Sequence, residues 1–405
     1  MKMKAFIIKT NTVIPPFNDH CGDILILNER LRDYQARVLS EAGFESVRLE
    51  SAALKDENLS GALVLTDDIF FTPEFLAEFL KRAMAADAPL VRAALEKTLF
   101  TKQIAILQRL KENESVMEYP LYYSKAPVFE ESRAKNAVIN PDEFYESGHF
   151  PDHMIGKDHF KFCVTSKAVV RVCEPIHIAM VNMAANFARL ARFRKLGAAA
   201  KLGVLFRARS ISEAKILGAL SVIEKGAKVH PTAVIEGSVI KSGAVVGAYA
   251  VVRFSVIGGG AYIDDHSAVK FSVVGEKAYI ANNNVIFFSV VYPRAFLISG
   301  PYQFSCFGYD SAVMNSIPSD YRLDGKTISV MCSDGVKDTG LRFAGSIIGH
   351  RTKIAAGLII APGRMIPNDV TLYPDPAMVV NKVPESAAEK KGTWFLTGGK
   401  LVDKI

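Results

Sequence analysis

The hydrophobic pattern changes its period near the middle of the chain. In the first half, short apolar runs alternate with segments of helical spacing. Residues 3–8 (MKAFII) form a buried strand, Glu29–Ala42 a helix stopped by Gly43, and Val47–Leu49 a strand; Gly61–Thr66 (GALVLT) forms another strand running into Asp67-Asp68, and Glu74–Ala85 a helix opened by Pro73. This alternation predicts a doubly wound α/β layer whose ligand lies beyond the carboxyl ends of the strands. The stretch 113–165, rich in Tyr, Pro and His, reads as irregular. Ile176, Met180, Met183, Phe187 and Leu190 then make one apolar stripe on a helix between Pro175 and Gly197.

From Ser221 onward neither the helical nor the strand period fits. A Ser-Val-Ile/Val triplet returns at Ser221, Ser238, Ser255, Ser272 and Ser289, every 17 residues, and alanine keeps the same beat at Ala227, Ala244, Ala261, Ala278 and Ala295. Inside each repeat the aliphatic positions are six apart, as in Ile257, Ile263 and Val269, and the hexad resumes at Ile348, Ile354, Ile360, Ile366, Leu372 and Met378. A six-residue beat is one short strand plus a turn. Three such sides make a triangular coil whose inward aliphatics stack on those of the next coil. Phe254, Phe271 and Phe288 form a further column, and the beat fails between 298 and 345. These patterns divide the chain into an α/β domain (1–174), a linking helix and basic junction (175–217), a β-helix (218–385) with an irregular excursion (298–345), and a tail (386–405).

Composition narrows the function classes. With 405 residues, 49% of them hydrophobic and 22% charged, the chain is long enough for two or three cored domains. No apolar run approaches the length of a membrane span, and the N-terminus lacks the long apolar region and cleavage site of a signal peptide, so a cytoplasmic protein is expected. Five scattered cysteines fit a reducing compartment and core positions. A net charge of +7 favours anionic ligands without arguing for nucleic acid. The charge is uneven: from Pro175 to Ser212 there is no Asp or Glu, while Arg189, Arg192, Arg194, Lys195, Lys201, Arg207 and Arg209 all fall there. A solvated linker face accounts for this; the sharper readings are a wall for a phosphate, for a carrier's phosphopantetheine arm, or for a membrane surface over residues 189–209. His149, His153, His159 and His177 cluster in a Gly- and Pro-containing stretch that reads as a loop lining a substrate or plain surface in preference to a zinc site.

LVLTDDIFFTPEFL, DILILNERLRDYQARVLSEAGFESV and the closing segments RLDGKTISV and DTGLRFAGSIIGHRTKIAAGLIIAPGRMIPNDVTLYP resemble the two-domain sugar-1-phosphate nucleotidyltransferases. Their relatives include the bifunctional N-acetylglucosamine-1-phosphate uridyltransferase/glucosamine-1-phosphate acetyltransferases. The resemblance implies a nucleotidyltransferase-like (Rossmann-like) α/β domain followed by a left-handed parallel β-helix of hexapeptide repeats. It also implies a homotrimer, a sugar phosphate or nucleotide sugar as ligand, Mg²⁺, and acetyl-CoA or another acyl-CoA as co-substrate.

The signature residues depart from the family. Strand one runs into KTNTVIPPFNDHCGD, which has no glycine loop for nucleotide phosphates, and Gly22 stands where the family has its lysine. Asp68 corresponds to the metal-binding aspartate, with Asp67 beside it, and the pair could hold Mg²⁺ over a pyrophosphate. In the β-helix, Gln303 replaces the histidine that serves as base, and His350 is the first-ranked substitute because Arg351, Lys353 and Arg364 make its coil cationic. The expected ligand site is therefore the coil excursion, where Tyr302, Gln303 and Asp310 would face the acceptor and Arg342, Arg351, Lys353 and Arg364 would attract the donor's pyrophosphate. Three functions compete: a transferase of nucleotide-sugar or sugar-phosphate metabolism, a non-catalytic trimeric scaffold or regulatory module, and a β-helix acyltransferase acting on a lipid or carrier.

Overall fold

A computed structural model describes residues 3–148, 160–380, 382–388 and 393–403. The N-terminal region is built on one mixed sheet of seven strands: β1 (Met3–Ile8), β2 (Phe44–Leu49), β3 (Ala62–Thr66), β4 (Leu90–Glu96), β5 (Lys111–Glu112), β6 (Val116–Ser124) and β7 (Ala134–Ile139). Their order is β7-β4-β6-β3-β1-β2, with β5 added to β6. β1 pairs in parallel with both β2 and β3, whereas β6 runs antiparallel between β3 and β4. The stretch expected to be irregular thus supplies a central strand. Pro120 disguises it, and it sits where the ladder between β6 and β4 shifts register, between Glu118 and Tyr122, as a proline in a central strand requires.

Helices α1 (Leu31–Glu41) and α2 (Pro73–Ala85) pack into the same core, α2 entered through Thr72, whose hydroxyl accepts the Phe75 amide. The sheet is therefore not doubly wound. Its second face carries a smaller cluster, Phe6, Val64, Leu90 and Tyr122 under Leu54 and Leu59, and that cover comes from a 3₁₀ turn (Ser51–Asp56) and loops.

Helix α3 (His177–Arg194) is sandwiched between this domain and the second half, and most of its residues are buried. Two further helices, α4 (Ala198–Ala208) and α5 (Glu213–Ala219), lead into the coils.

The coils form a three-faced parallel β-helix whose stacked strands give parallel sheets of 8, 8 and 5 strands. Ile240, Ile257, Ile263, Val274, Ile280, Ile354 and Ile360 all point inward and are buried. The serine column has a structural cause. Each Ser Oγ accepts the backbone amide of the serine one coil on: Ser255 on Ser238, Ser272 on Ser255, Ser289 on Ser272, Ser305 on Ser289 and Ser346 on Ser305, at 3.0–3.1 Å. The phenylalanine column stacks ring on ring through Phe254, Phe271, Phe288 and Phe304 at 4.9–5.2 Å, each residue in the left-handed backbone region. Gly237 starts that column because a Cβ there would lie 2.6 Å from the Phe254 ring.

The coils continue past residue 298, where the beat in the sequence fails. One turn shortens from 17 residues to 16, as the pairing Val290↔Cys306 shows, which puts the columns out of phase without breaking the ladder. The chain leaves the coils only after Ile317–Pro318, forms a hairpin (Ser329–Cys332 with Gly335–Asp338), and rejoins at Ile347–Ile348. Met378, expected inward, lies beyond the last coil strand (Thr371–Leu372) and is 74% exposed.

Candidate functional site

The strand ends of the α/β domain gather the first set of polar groups. Gln35 of α1, fully buried, donates through Nε2 to the carbonyls of Thr66, Asp67 and Ile69 and so shapes the Asp67-Asp68 turn. The two carboxylates face different partners. Asp68 is closed off: Oδ1 accepts the Thr66 hydroxyl at 2.5 Å and Oδ2 the Arg171 Nε at 2.8 Å. Burial pushes its carboxyl above the ordinary range, against the pull of Arg171 and Thr66. Asp67 Oδ1 accepts the amide and hydroxyl of Thr10, while Oδ2 lies 3.6 Å from His20 Nε2. His20 Nδ1 accepts the Gly22 amide, so Nε2 carries the ring proton and points it at Asp67. Burial raises the Cys21 thiol well above its usual pKa, with Asp67 and Asp68 adding to the effect.

This arrangement does not fit the expected Mg²⁺ pair. Asp68 is committed to an arginine, and the donors that converge around Asp67 are an imidazole and a thiol, which a hard oxygen-seeking ion disfavours. Among the described residues His20, Cys21 and Asp67 are the group whose ligand atoms come within 4.8 Å of one another.

The loop after β1, where the resembled enzymes cradle phosphate, has another task here: it clamps the two halves together. Phe17 stacks on His350 at 4.3 Å, Asn368 Nδ2 donates to the Phe17 carbonyl, and the Leu25 amide donates to the Tyr292 hydroxyl. Asn28 donates to the Val274 carbonyl, and Asn182 of α3 both accepts from Leu27 and donates to Leu25.

His350, the expected base, belongs to this clamp. It is buried; Nδ1 accepts the Tyr309 amide at 2.8 Å, and Nε2 therefore carries the proton toward Asp19 Oδ2 at 3.1 Å. Neither nitrogen is free to take a proton from a substrate. Tyr302 is likewise withdrawn, fully buried in the coil interior with its hydroxyl donating to the Ile298 carbonyl. Asp310 and Arg351 lie in a charge ladder on one coil corner, Asp310 paired at two points with Arg294 and Arg351 with Asp369. Gln303 and Arg364 remain half-buried and Lys353 exposed. The structure thus leaves Gln303, Lys353 and Arg364 available on the coils and commits Tyr302, Asp310, His350 and Arg351 elsewhere.

The roomier feature is on the helix-free face of the sheet. A groove of about 670 Å³, within the range of small-ligand sites, opens beside the carboxyl ends of β1 and β3, at Ile8 and Thr66. Leu54, Val64, Pro120, Tyr122 and Phe129 give it an apolar floor and walls, and Lys55, Glu57 and Glu131 its charged rim. Tyr122 and Phe129 meet edge to face at 5.1 Å. Lys55 is exposed and has no ion pair among the described residues.

Sequence reasoning found Asp67 and Asp68 but missed Gln35, Thr10, His20 and Arg171. One signal was legible: Arg171 stands alone in the apolar run AVVRVC, and an arginine there asks for a buried carboxylate. The groove had no such signal, because its lining comes from five separate segments.

No protein-family model matches the chain, and no curated protein matches it. Among solved structures it is similar to the acetyltransferase domain of PglB from Neisseria gonorrhoeae FA1090 in complex with acetyl coenzyme A, at 19% identity over 37% of this chain and 55% of that one, with a TM-score of 0.23. It is similar also to PerB from Caulobacter crescentus in complex with CoA and GDP-perosamine, at 20% identity over 44% of this chain and 61% of that one, TM-score 0.18. A third is a hexapeptide transferase family protein from Anaplasma phagocytophilum, at 15% identity over 38% and 75% of the two chains, TM-score 0.20. The chain spans less than two thirds of the length of the first two. At these scores the likeness adds nothing to what the chain's own parallel ladders establish.

Proposed function

We propose that this is a transferase-type protein of nucleotide-sugar or sugar-phosphate metabolism that binds its nucleotide-bearing ligand in the groove above β1 and β3. One observation carries the reading: a groove of about 670 Å³ lies at the carboxyl ends of adjacent parallel strands, where open α/β sheets bind ligands. Tyr122 and Phe129 offer a base an aromatic wall and Lys55 meets a phosphate, while Glu131 holds the Tyr122 hydroxyl and Glu57 pairs with Lys4. Metal-dependent nucleotidyl transfer is not the chemistry proposed, since Asp68 is tied to Arg171 and the loop after β1 serves as an interdomain clamp. Calorimetric titration with UDP-, GDP- and dTDP-sugars tests the reading. Micromolar binding weakened at least tenfold by Lys55→Ala and by Phe129→Ala supports it, and absence of heat with every nucleotide sugar at millimolar concentration overturns it.

A second reading, acyl transfer along the coils, is favoured by Arg364. It is half-buried with no ion pair among the described residues, and it lies beside the excursion hairpin, whose Met331 amide reaches the Gly363 carbonyl. An acyl-CoA pyrophosphate fits such a cation, with Lys353 and Gln303 at the donor and acceptor ends. Titration with acetyl-CoA, with Arg364→Ala and added salt both reducing affinity, tests it. The β-helix favours a homotrimer: one face is buried against the α/β domain through Val256, Val273, Val290 and Cys306, while Tyr262, Tyr279 and Phe296 stack on another. Two unlike free faces close a ring by heterologous contact.

A further inference from the structure

Helix α4 presents an apolar stripe that no described residue covers. Of its residues only Val204 is buried, whereas Leu202 is 66%, Leu205 37% and Phe206 84% exposed, and Ile211 in the turn that follows is 91% exposed. At 100° per residue, Ala198, Leu202, Leu205 and Phe206 fall within one arc of about 100°, and Val204 falls on the opposite side. The helix is therefore seated by one valine and shows its larger apolar side chains to solvent. A surface segment held in place for folding alone would carry polar residues on that arc.

The charges around the stripe are of one sign. Lys201 borders it on the helix, Arg207 lies round toward the Val204 side, and Arg209 follows in the left-handed C-terminal cap. None of the three makes an ion pair among the described residues, whereas Arg192 and Arg194 nearer the core pair with Glu74 and Glu146. From Pro175 to Ser212 no acidic residue occurs, so α4 itself carries no counter-charge. At eleven residues α4 is too short to cross a bilayer, and no described helix is long and apolar enough to do so.

We propose that residues 198–211 are an interfacial anchor that docks the protein onto anionic lipid bilayers. Leu202, Leu205, Phe206 and Ile211 enter the boundary between headgroups and acyl chains, while Lys201, Arg207 and Arg209 lie at the level of the lipid phosphates. The occupant follows from charge complementarity: an exposed apolar face on a helix whose cations make no ion pair among the described residues matches an apolar layer under anionic headgroups. A second copy of this chain would bring the same cations against themselves. The inference is independent of the ligand assigned to the groove.

Flotation of the full-length protein with vesicles tests it, using phosphatidylcholine alone and phosphatidylcholine with 30% phosphatidylglycerol, at about 50 and 500 mM KCl. Binding to the anionic vesicles at low salt is expected, at least tenfold weaker on phosphatidylcholine and reduced by high salt. Leu202→Ser with Phe206→Ser, and separately the triple change of Lys201, Arg207 and Arg209 to Gln, should each abolish flotation while the circular dichroism spectrum and melting temperature stay as in the wild type. The proposal is overturned by equal flotation with both vesicle types, by no flotation with either, or by variants that float as the wild type does. It is also overturned if the protein self-associates without lipid and Phe206→Ser abolishes that association, since a second copy then covers the stripe.

Discussion

His177 opens α3 and is fully buried, and its surroundings admit only the neutral ring. Nδ1 accepts the amides of Cys173 and Glu174 at 3.0 and 2.9 Å, and Nε2 lies 2.7 Å from the Ile106 carbonyl, to which it donates. A proton added to Nδ1 would face two N–H groups at the positive end of a helix. Burial accordingly pushes its pKa down from 6.5 to about 4. In the unfolded chain the imidazole titrates near its ordinary value, so as pH falls the unfolded state takes the proton first. The stabilisation is thus complete above pH 6.5, declines between 6.5 and 4, and is gone below that. A gap of this size corresponds to ~3 kcal/mol. His177→Asn keeps an acceptor near Nδ1 and removes the titration. Urea unfolding of both proteins in steps from pH 7.5 to 4.0 should show the wild-type advantage shrinking by ~3 kcal/mol, and the ring resonances of folded wild type should titrate near 4. A wild-type-minus-variant difference that stays flat with pH, or a folded ring titrating near 6.5, refutes the reasoning.

Four further outcomes follow. Ser272→Ala removes the acceptor of the buried Ser289 amide and should cost about 1–3 kcal/mol, read as faster hydrogen exchange at Ser289 with little change two coils away. Asp68→Asn leaves the partly buried Arg171 without its carboxylate and should lower the melting temperature equally with and without MgCl₂, whereas a loss confined to the magnesium samples would restore Asp68 as a metal ligand. Pyrophosphorolysis of nucleotide sugars with Mg²⁺ should be undetectable in the wild type, and light scattering at micromolar concentration should give three times the chain mass.

Local patterns proved informative where one period governs one element. The hexad and the 17-residue columns specify the stacked coils because each inward aliphatic repeats the environment of the one below it, and the strand before Asp67-Asp68 and the helix after Pro73 are written in contiguous residues. The charges were harder to read. Arg351 and Asp310 look like free cation and acid in the sequence, but adjacent coils bring Asp369 and Arg294 to them.

What the sequence determined by itself was therefore the repeat architecture, the helices and strands flanking Asp67-Asp68, and the absence of a phosphate-cradling glycine loop, since all three depend on neighbours within a few residues. Tertiary structure alone decided the rest. Asp68 meets Arg171 across 103 positions and His350 meets Asp19 across 331, which turns two candidate catalytic groups into a sealed ion pair and an interdomain clamp. The groove arises where β1, β3, β6, a 3₁₀ turn and the segment 128–131 converge, and α4 is set apart because a single valine seats it. Burial and partnership are properties of packed surfaces, and residues far apart along the chain carry no mark of them until the chain is folded.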